Sequence, residues 1–276
     1  MNRNLLKILA CPACKASPLR YEGSSSGGSL RCHACSRGYQ ITDDIPDMIP
    51  DEIIRTASSG GNDWDVWTAK MHEFIAWRRK TWDGSEAAQK MRSFATELQA
   101  SFVEFMGISN TSKSILDIGC GNGGIRTMFG SHSYYGIDPL LIANQTYNFP
   151  FVKGVGEFLP FACGAFDAVI LTQVLDHCNS FEGLIQAAAR VINNDGSVNV
   201  QQCLNPDKGL FSKLYRRLLK VYLRLKGVRH LDTKMRFFDK RGLIKFFRER
   251  FEVVSFFEFS ESQIFLKASG WKKDRK

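Results

Sequence analysis

The stretch that most constrains the fold is residues 114–138, where a glycine-rich turn separates two short apolar segments. The first segment, residues 115–118, leads into the sequence GCGNGG at positions 119–124, and the second, residues 134–137, ends on Asp138. Glycines let a backbone approach a ligand closely, and an acid at the end of the next strand accepts hydrogen bonds from ribose hydroxyls. The order strand, glycine turn, helix, strand and acid therefore predicts a nucleotide-binding half of an α/β fold.

The turn alone does not identify the nucleotide, because Gly119, Gly121 and Gly124 also have the spacing of a dinucleotide fingerprint. The wider sequence DIGCGNG at 117–123 resembles the first motif of class I S-adenosylmethionine-dependent methyltransferases, in which an acid stands two residues before the first glycine. A carboxylate at Asp117 suits the ammonium of that cofactor's methionine moiety, whereas it would repel a pyrophosphate. Three later sequences, LPF at 159–161, FDAV at 166–169 and VLDH at 174–177, resemble the small-molecule branch of the same superfamily.

The resemblance implies a Rossmann-like α/β fold with a seven-stranded, mostly parallel sheet, helices on both faces, and S-adenosylmethionine as cofactor. Val155 departs from the family pattern, because many relatives have an acid followed by a small residue there. A valine side chain cannot bind the adenine amino group, although the backbone of Gly156 still can. By position in the motifs, the cofactor-binding residues are Asp117, Gly119, Gly121, Gly123, Asp138, Pro139, Val155, Gly156 and Thr172.

Two CxxC pairs near the N-terminus predict a structural zinc ribbon, because four thiolates complete a tetrahedron and leave no position for a catalytic water. The pairs are Cys11 with Cys14 and Cys32 with Cys35, with 17 residues between them. The segment resembles a small zinc-ribbon family whose members activate methyltransferases as partners, here fused to its client. The alternative interpretation is four reduced cysteines without metal.

Composition divides the chain into three parts. We expect a zinc-ribbon module at 1–55, a linker and N-terminal lid helices at 56–109, and a methyltransferase domain at 110–270 with a basic helical insertion at 206–238. Apolar residues in the second part have helical spacing, which indicates either a packed face or an aromatic pocket for an apolar acceptor.

The net charge of +9 is concentrated in residues 207–250, where 15 Lys and Arg accompany 4 Asp and Glu. Residues 208–226 have a basic amphipathic pattern, which fits contact with an anionic acceptor, peripheral membrane contact beside a lipid-linked acceptor, or RNA phosphates. A solvated face of an ordinary helix is the fourth interpretation. Nucleic acid is the least favoured of the partners, because interleaved exposed aromatic residues and an RNA-binding motif are missing.

The predicted reaction is in-line methyl transfer to a small or lipid-linked acceptor, such as a sugar, a quinone or a secondary metabolite. His177, after the fourth strand, and His230, in the predicted lid, are candidate general bases, with structural packing as the alternative for each. One rival function is methylation of RNA or of a translation protein. Another is a scaffold that keeps the fold without turnover.

The sequence contains no segment near the ~18 apolar residues that a membrane-spanning helix needs. The apolar stretch before Cys11 is too short for a signal peptide and is interrupted by Lys7. We therefore expect a cytoplasmic protein, with any membrane contact being peripheral. The eight cysteines require no disulfide framework in that setting.

Overall fold

A computed structural model of the 276-residue chain describes residues 2–24, 27–51, 86–108, 113–142, 146–204 and 238–272. The predicted basic helix at 208–226, His230 and most of the predicted linker and lid region lie outside these ranges. The strands form two sheets, one of four strands and one of seven. No helix in the described ranges is both long and apolar enough to cross a membrane.

The N-terminal module is a short helix followed by an antiparallel four-stranded sheet in sequence order. Its elements are α1 (Arg3–Ile8), β1 (Arg20–Ser24), β2 (Gly27–Arg31), β3 (Gly38–Thr42) and β4 (Ile45–Pro46). The tract at 23–29, which is rich in Ser and Gly, contributes residues 23, 24 and 27–29 to the paired part of β1 and β2. The ring of Tyr21 lies over Gly23 and Gly28, where a Cβ would be 2.6 Å and 2.9 Å from it, and so covers glycines that bury little surface themselves.

The large sheet has the strand order β10-β11-β9-β8-β5-β6-β7 with a final antiparallel hairpin, which confirms the predicted seven-stranded, mostly parallel sheet. Its two central strands, β5 and β8, are largely buried, which explains their almost continuous apolar sequences. The strands are β5 (Ser114–Ile118), β6 (Ser133–Asp138), β7 (Phe151–Lys153), β8 (Phe166–Thr172), β9 (Ile192–Cys203), β10 (Phe251–Ser260) and β11 (Gln263–Trp271).

Helices cover both faces of this sheet. On one face, α2 (Glu86–Met106) buries Phe102 against Phe265 of β11, with ring centroids 5.3 Å apart. On the other face, α3 (Phe181–Val191) and α4 (Lys240–Arg250) pack together through Phe181 and Phe246, with centroids 4.2 Å apart. The helical spacing of apolar residues at 87–105 predicted α2 correctly.

The glycine turn continues into a six-residue 3-10 helix (Gly124–Phe129), whereas the nucleotide-binding pattern led us to expect an α-helix. Few residues separate the turn from β6, so there is no room for several α-helical turns. Gly130 ends the helix with a φ of 53°, a conformation that glycine adopts without steric cost.

Strand β9 begins at Ile192, directly after α3. The sequence NNDG at 193–196, which is typical of a turn, lies between the pairs Phe166–Ile192 and Ala168–Ser197 and bulges out of the ladder. The Asn193 amide donates to a carboxylate oxygen of Asp167 at 2.9 Å, which holds the bulge against the neighbouring strand.

The N-terminal module is joined to the large sheet along the outer edge of β7. The backbone N–H of Met48 donates to the carbonyl of Lys153 at 2.7 Å, and Asp47 pairs with Lys153 as in a parallel sheet. The Lys153 ammonium also lies 2.6 Å from a carboxylate oxygen of Asp47. The segment after β4 thus satisfies backbone groups that an open sheet edge would expose.

A second contact between the N-terminal module and the large sheet lies at Phe161, which is fully buried in the core that they share. Its backbone bridges to Leu9, and Ala162 N–H donates to the carbonyl of Ile8 at 2.8 Å. Its ring packs edge-on against Phe166 of β8 at a centroid distance of 5.1 Å. One side chain therefore fills space between the module and the central strands.

We expect Phe161→Ala to lower the free energy of unfolding by about 3–5 kcal/mol, because it leaves a cavity where module and sheet meet. Urea unfolding followed by tryptophan fluorescence measures this change. Phe257→Ala is the matched control, since Phe257 is 49% exposed, and it should cost about 1 kcal/mol or less. Equal losses for the two variants would contradict a shared core at Phe161.

Candidate active site and metal centre

The glycine turn after β5 has three residues with left-handed backbone: Gly119, Gly121 and Gly123, with φ of 72°, 54° and 70°. A Cβ at Gly119 would lie 2.5 Å from Val174, and one at Gly123 would lie 2.4 Å from Phe149. These two glycines are therefore required by close packing. At Gly121 a Cβ would meet nothing within 4 Å, so this residue faces open space at the carboxyl end of the parallel strands.

Asp138 at the end of β6 closes the turn from the next strand. Its Oδ2 accepts the N–H of Gly121 at 3.0 Å, and its Oδ1 accepts the N–H of Leu140 at 2.9 Å. Burial raises the pKa of this carboxyl to about 6, against which the two backbone hydrogen bonds act. Each oxygen keeps a further lone pair, which ribose hydroxyls can use. Pro139 follows directly and is partly buried.

Asp117 lies one strand away and is only 1% exposed. The hydroxyl of Tyr134 donates to its Oδ2 at 2.5 Å, while its Oδ1 has no hydrogen-bond partner in the described part of the chain. Burial raises the pKa of Asp117 to about 7; the Tyr134 hydrogen bond opposes this rise, and the charge of Asp138 adds to it. A buried carboxylate with an unsatisfied oxygen is the complement of a cationic ligand group.

The loop after β7 approaches the same sheet edge. A Cβ on Gly156 would lie 2.6 Å from a side-chain carbon of Leu184 and 2.9 Å from one of Ile118, so a larger residue beside the end of β5 would have to displace both side chains. Val155 before it is extended and partly exposed. Oε1 of Glu157 accepts the N–H of Asn179 at 2.7 Å, which ties this loop to the segment that follows β8.

Thr172 ends β8, directly beyond the pairing of Ile118 with Leu171, and is therefore level with the glycine turn. The next residue, Gln173, has left-handed backbone with φ of 57°. Its side-chain amide donates to Gln263 at 2.9 Å and accepts the N–H of Cys203 at 3.0 Å. This fixes the end of β8 to the ends of β9 and β11.

His177 lies in the turn after β8, where its N–H donates to the carbonyl of Val174 at 2.9 Å. Its side chain is 18% exposed, and its Nε2 lies 3.8 Å from a carboxylate oxygen of Asp176. Asp176 does not serve the N-terminus of the following helix. Ser180 occupies that position and accepts the N–H of Gly183 at 3.0 Å, whereas Asp176 is buried in the turn.

Sequence reasoning missed Tyr134 as a partner of Asp117. The two residues are 17 positions apart and on different strands, so their contact depends on the register of β5 against β6. A tyrosine in an apolar strand gives no signal of this kind. Among the predicted site residues, His230 lies outside the described ranges.

The N-terminal module contains two knuckles of the same shape. Lys15 and Ser36 both have left-handed backbone, with φ of 65° and 58°. The N–H of Lys15 donates to the carbonyl of Cys11 at 2.8 Å, and that of Ser36 donates to Cys32 at 3.0 Å. Each turn thus folds a CxxC pair so that its two thiols face the same point.

The four thiol sulfurs, one from each cysteine of the two pairs, lie within 4.8 Å of one another, and all eight cysteines of the chain are free of disulfides. The Sγ–Sγ distance is 3.6 Å for Cys11 and Cys35, and 3.5 Å for Cys14 and Cys32. A tetrahedron with Zn–S bonds of about 2.3 Å needs sulfurs about 3.8 Å apart. The donor set and its spacing therefore fit a structural zinc site, as predicted.

Comparison with known proteins agrees with this geometry. The family described as "Methyltransferase domain" matches residues 90–255, more than half of the chain. The chain belongs to this methyltransferase family. The family described as "Trm112p-like protein" matches residues 2–44 of this methyltransferase, which include the cysteine cluster.

Sequence relatives match separate parts of the chain. The methyltransferase is 46% identical over 52 residues to a UPF0434 protein of Nitrosococcus oceani, which covers 19% of the chain and 83% of that protein. It is 34% identical over 80 residues to a demethylmenaquinone methyltransferase of Corynebacterium efficiens, which covers 29% of the chain and 35% of that protein. The chain thus spans about a third of the length of this second relative.

Solved structures share the fold of the methyltransferase. A possible histamine N-methyltransferase of Thermotoga maritima has a TM-score of 0.53 at 14% identity, covering 73% of this chain and 99% of its own. The 1,6-didemethyltoxoflavin-N1-methyltransferase of Burkholderia thailandensis has the same TM-score and identity, covering 88% and 99%. Family and fold together identify an S-adenosylmethionine-dependent methyltransferase with an N-terminal zinc ribbon.

We expect Cys32→Ser combined with Cys35→Ser to release about one zinc per chain, because it removes half of the ligands. Inductively coupled plasma mass spectrometry of the purified chain measures the metal content. Cys163→Ser is the matched control, since Cys163 is exposed and lies outside the cluster, and it should retain the metal. Full zinc content in the double variant would exclude a metal site at these cysteines.

Proposed function

We propose that this methyltransferase transfers the methyl group of S-adenosylmethionine to a small-molecule acceptor at the carboxyl ends of β5 and β8. The observation that carries the proposal is the pair of acids, the buried Asp117 and the partly buried Asp138, near the open space at Gly121. When bound there, the sulfonium cofactor supplies an electrophilic methyl group. Holding the acceptor in line with that methyl lowers the barrier by as much as ~7–11 kcal/mol in well-oriented systems.

Each predicted cofactor residue has a role that its position supports. Asp117 binds the ammonium through its unsatisfied Oδ1, and Asp138 accepts the ribose hydroxyls. Gly121 allows close backbone approach, and Thr172 borders the methyl position from β8. The adenine side is formed by Pro139, Val155 and Gly156, and the turn is kept in shape by Gly119 and Gly123.

The acceptor class rests on the sequence relative with a named substrate. The demethylmenaquinone methyltransferase of Corynebacterium efficiens acts on a quinone, and its match to this chain supports an apolar small molecule of that kind. A quinone is therefore the first acceptor to test. The segment 208–226, which led us to consider a lipid-linked acceptor and peripheral membrane contact, lies outside the described residues, so both stay predictions.

His177 is our candidate general base for an acceptor that must lose a proton. It lies in the turn that packs on Gly119 through Val174, and its imidazole is partly exposed. A neutral imidazole there can take a hydroxyl proton, although packing within the turn would account equally for its position. His230 remains a prediction from the sequence.

We expect Gly121→Arg to weaken binding of S-adenosylhomocysteine at least 100-fold, because the side chain fills the space that the cofactor backbone contacts need. Isothermal titration calorimetry measures the affinity. Gly130→Arg is the control: Gly130 also has a positive φ, of 53°, and also faces open space, but lies after the 3-10 helix. A loss of affinity in both variants, or in neither, would count against the cofactor site.

We expect a labelled methyl group to appear in the small-molecule fraction when the protein is incubated with labelled cofactor and fractionated cell extract. Label in RNA or in protein would instead support the rival functions named from the sequence. The Gly121→Arg variant gives the background level of label, because it changes the predicted cofactor site and leaves the rest of the protein surface as it is. Label in the RNA fraction that disappears steeply with rising salt would replace our proposal with an RNA methyltransferase.

A further inference from the structure

The side chain of Tyr134 is held by aromatic neighbours with its hydroxyl directed at Asp117. It is 5% exposed, and its ring packs edge-on against Phe149 at 5.0 Å and stacks near Phe129 at 6.1 Å. Its Oη donates to Oδ2 of Asp117 at 2.5 Å. The ring is enclosed on two sides by other aromatic rings, so the hydroxyl has a fixed direction.

The surroundings of Asp117 are otherwise unfavourable to its charge. In the described ranges it forms no ion pair, and Asp138 adds a second negative charge nearby. The Cys120 thiol in the turn is also close, but burial raises its pKa well above the usual value, so it stays neutral. Burial raises the pKa of the Tyr134 hydroxyl, the charge of Asp117 adds to this rise, and Arg126 on the 3-10 helix opposes it, so the hydroxyl stays protonated as a donor. Tyr134 is therefore the one hydrogen-bond donor to this carboxylate in the described chain.

We propose that Tyr134 is a positioning residue of the cofactor site. Its hydroxyl keeps Asp117 ionised and keeps the Oδ1 atom of Asp117 turned to the cofactor ammonium. As a result, cofactor affinity depends on pH in the neutral range. The proposal rests on the role given to Asp117 under the proposed function. It adds a residue that does not touch the cofactor and acts only through the carboxylate.

The direction of the pH dependence follows from linkage. An ammonium favours the ionised carboxylate, so binding lowers the pKa of Asp117 from its value of about 7 in the free protein. Affinity is then fully present above that pKa and falls about tenfold per pH unit below it. Replacing Tyr134 by phenylalanine removes a hydrogen bond to the charged form and moves the midpoint up by about one pH unit.

A purely structural role for Tyr134 makes a different prediction. If the ring only fills space, phenylalanine keeps the packing and the affinity is unchanged. If the hydrogen bond only stabilises the fold, the affinity is reduced by the same factor at every pH. Only the proposed role makes the effect large below neutral pH and small above it.

The experiment is isothermal titration calorimetry of S-adenosylhomocysteine from pH 5.5 to 8.5 with the full-length protein. We expect Tyr134→Phe to bind about tenfold more weakly than wild type at pH 6 and within about twofold of it at pH 8.5. Titration of the ligand's own amine affects both proteins equally and cancels in this ratio. Tyr135→Phe is the matched control, because Tyr135 is the next residue, is buried on the opposite face against Phe166, and should leave the profile unchanged.

Asp117→Asn separates failure of this inference from failure of the proposed site. If it leaves the affinity unchanged, Asp117 does not bind the cofactor, and both the site assignment and the role of Tyr134 are overturned. A second outcome combines two results: Asp117→Asn weakens binding and abolishes its pH dependence, and the affinity of Tyr134→Phe relative to wild type is the same at all pH values. In that case only the positioning role of Tyr134 is overturned. Urea unfolding of Tyr134→Phe establishes that the variant is folded during the titrations.

Discussion

Burial of the central strands β5 and β8 is the constraint on which the rest of the structure depends. Helices cover both faces of these strands, so their apolar side chains fill two cores and their carboxyl ends meet at one edge of the sheet. The loops at this edge hold the glycine turn, the end of β8 and the turn with His177. The same burial removes water from Asp117 and raises its pKa, because the ionised carboxylate loses its solvation there.

The N-terminal module covers one edge of the large sheet, at β7. β7 has only three residues, and the segment after β4 of the N-terminal module pairs with its outer edge. β6, which carries Asp138, is the inner neighbour of β7, so the zinc module lies two strands from this carboxylate. The cysteine cluster stabilises the module that covers this edge, and in this way a structural metal supports β6 without contacting it.

The sequence located most of the candidate site because its residues are close together along the chain. The glycine turn and Asp138 belong to one strand-turn-strand unit, and the CxxC pairs are local turns, so spacing alone identified them. The contacts of Tyr134 and Gln173 were not predictable in this way. Both depend on strand register, which is set by packing of the whole sheet. The 3-10 helix after the turn was likewise missed, because its type is decided by the short distance left before β6.

The sequence by itself determined the type of sheet, the position of the glycine turn, the four clustered cysteines and the two acids near that turn. These follow from local spacing, backbone freedom at glycine and the preference of each side chain for water or core. Only the tertiary structure decided how the zinc module pairs with β7 and which oxygen of Asp117 is left without a hydrogen-bond partner. Such contacts join residues far apart along the chain, and they form only when burial of the apolar strands fixes one register and one packing arrangement.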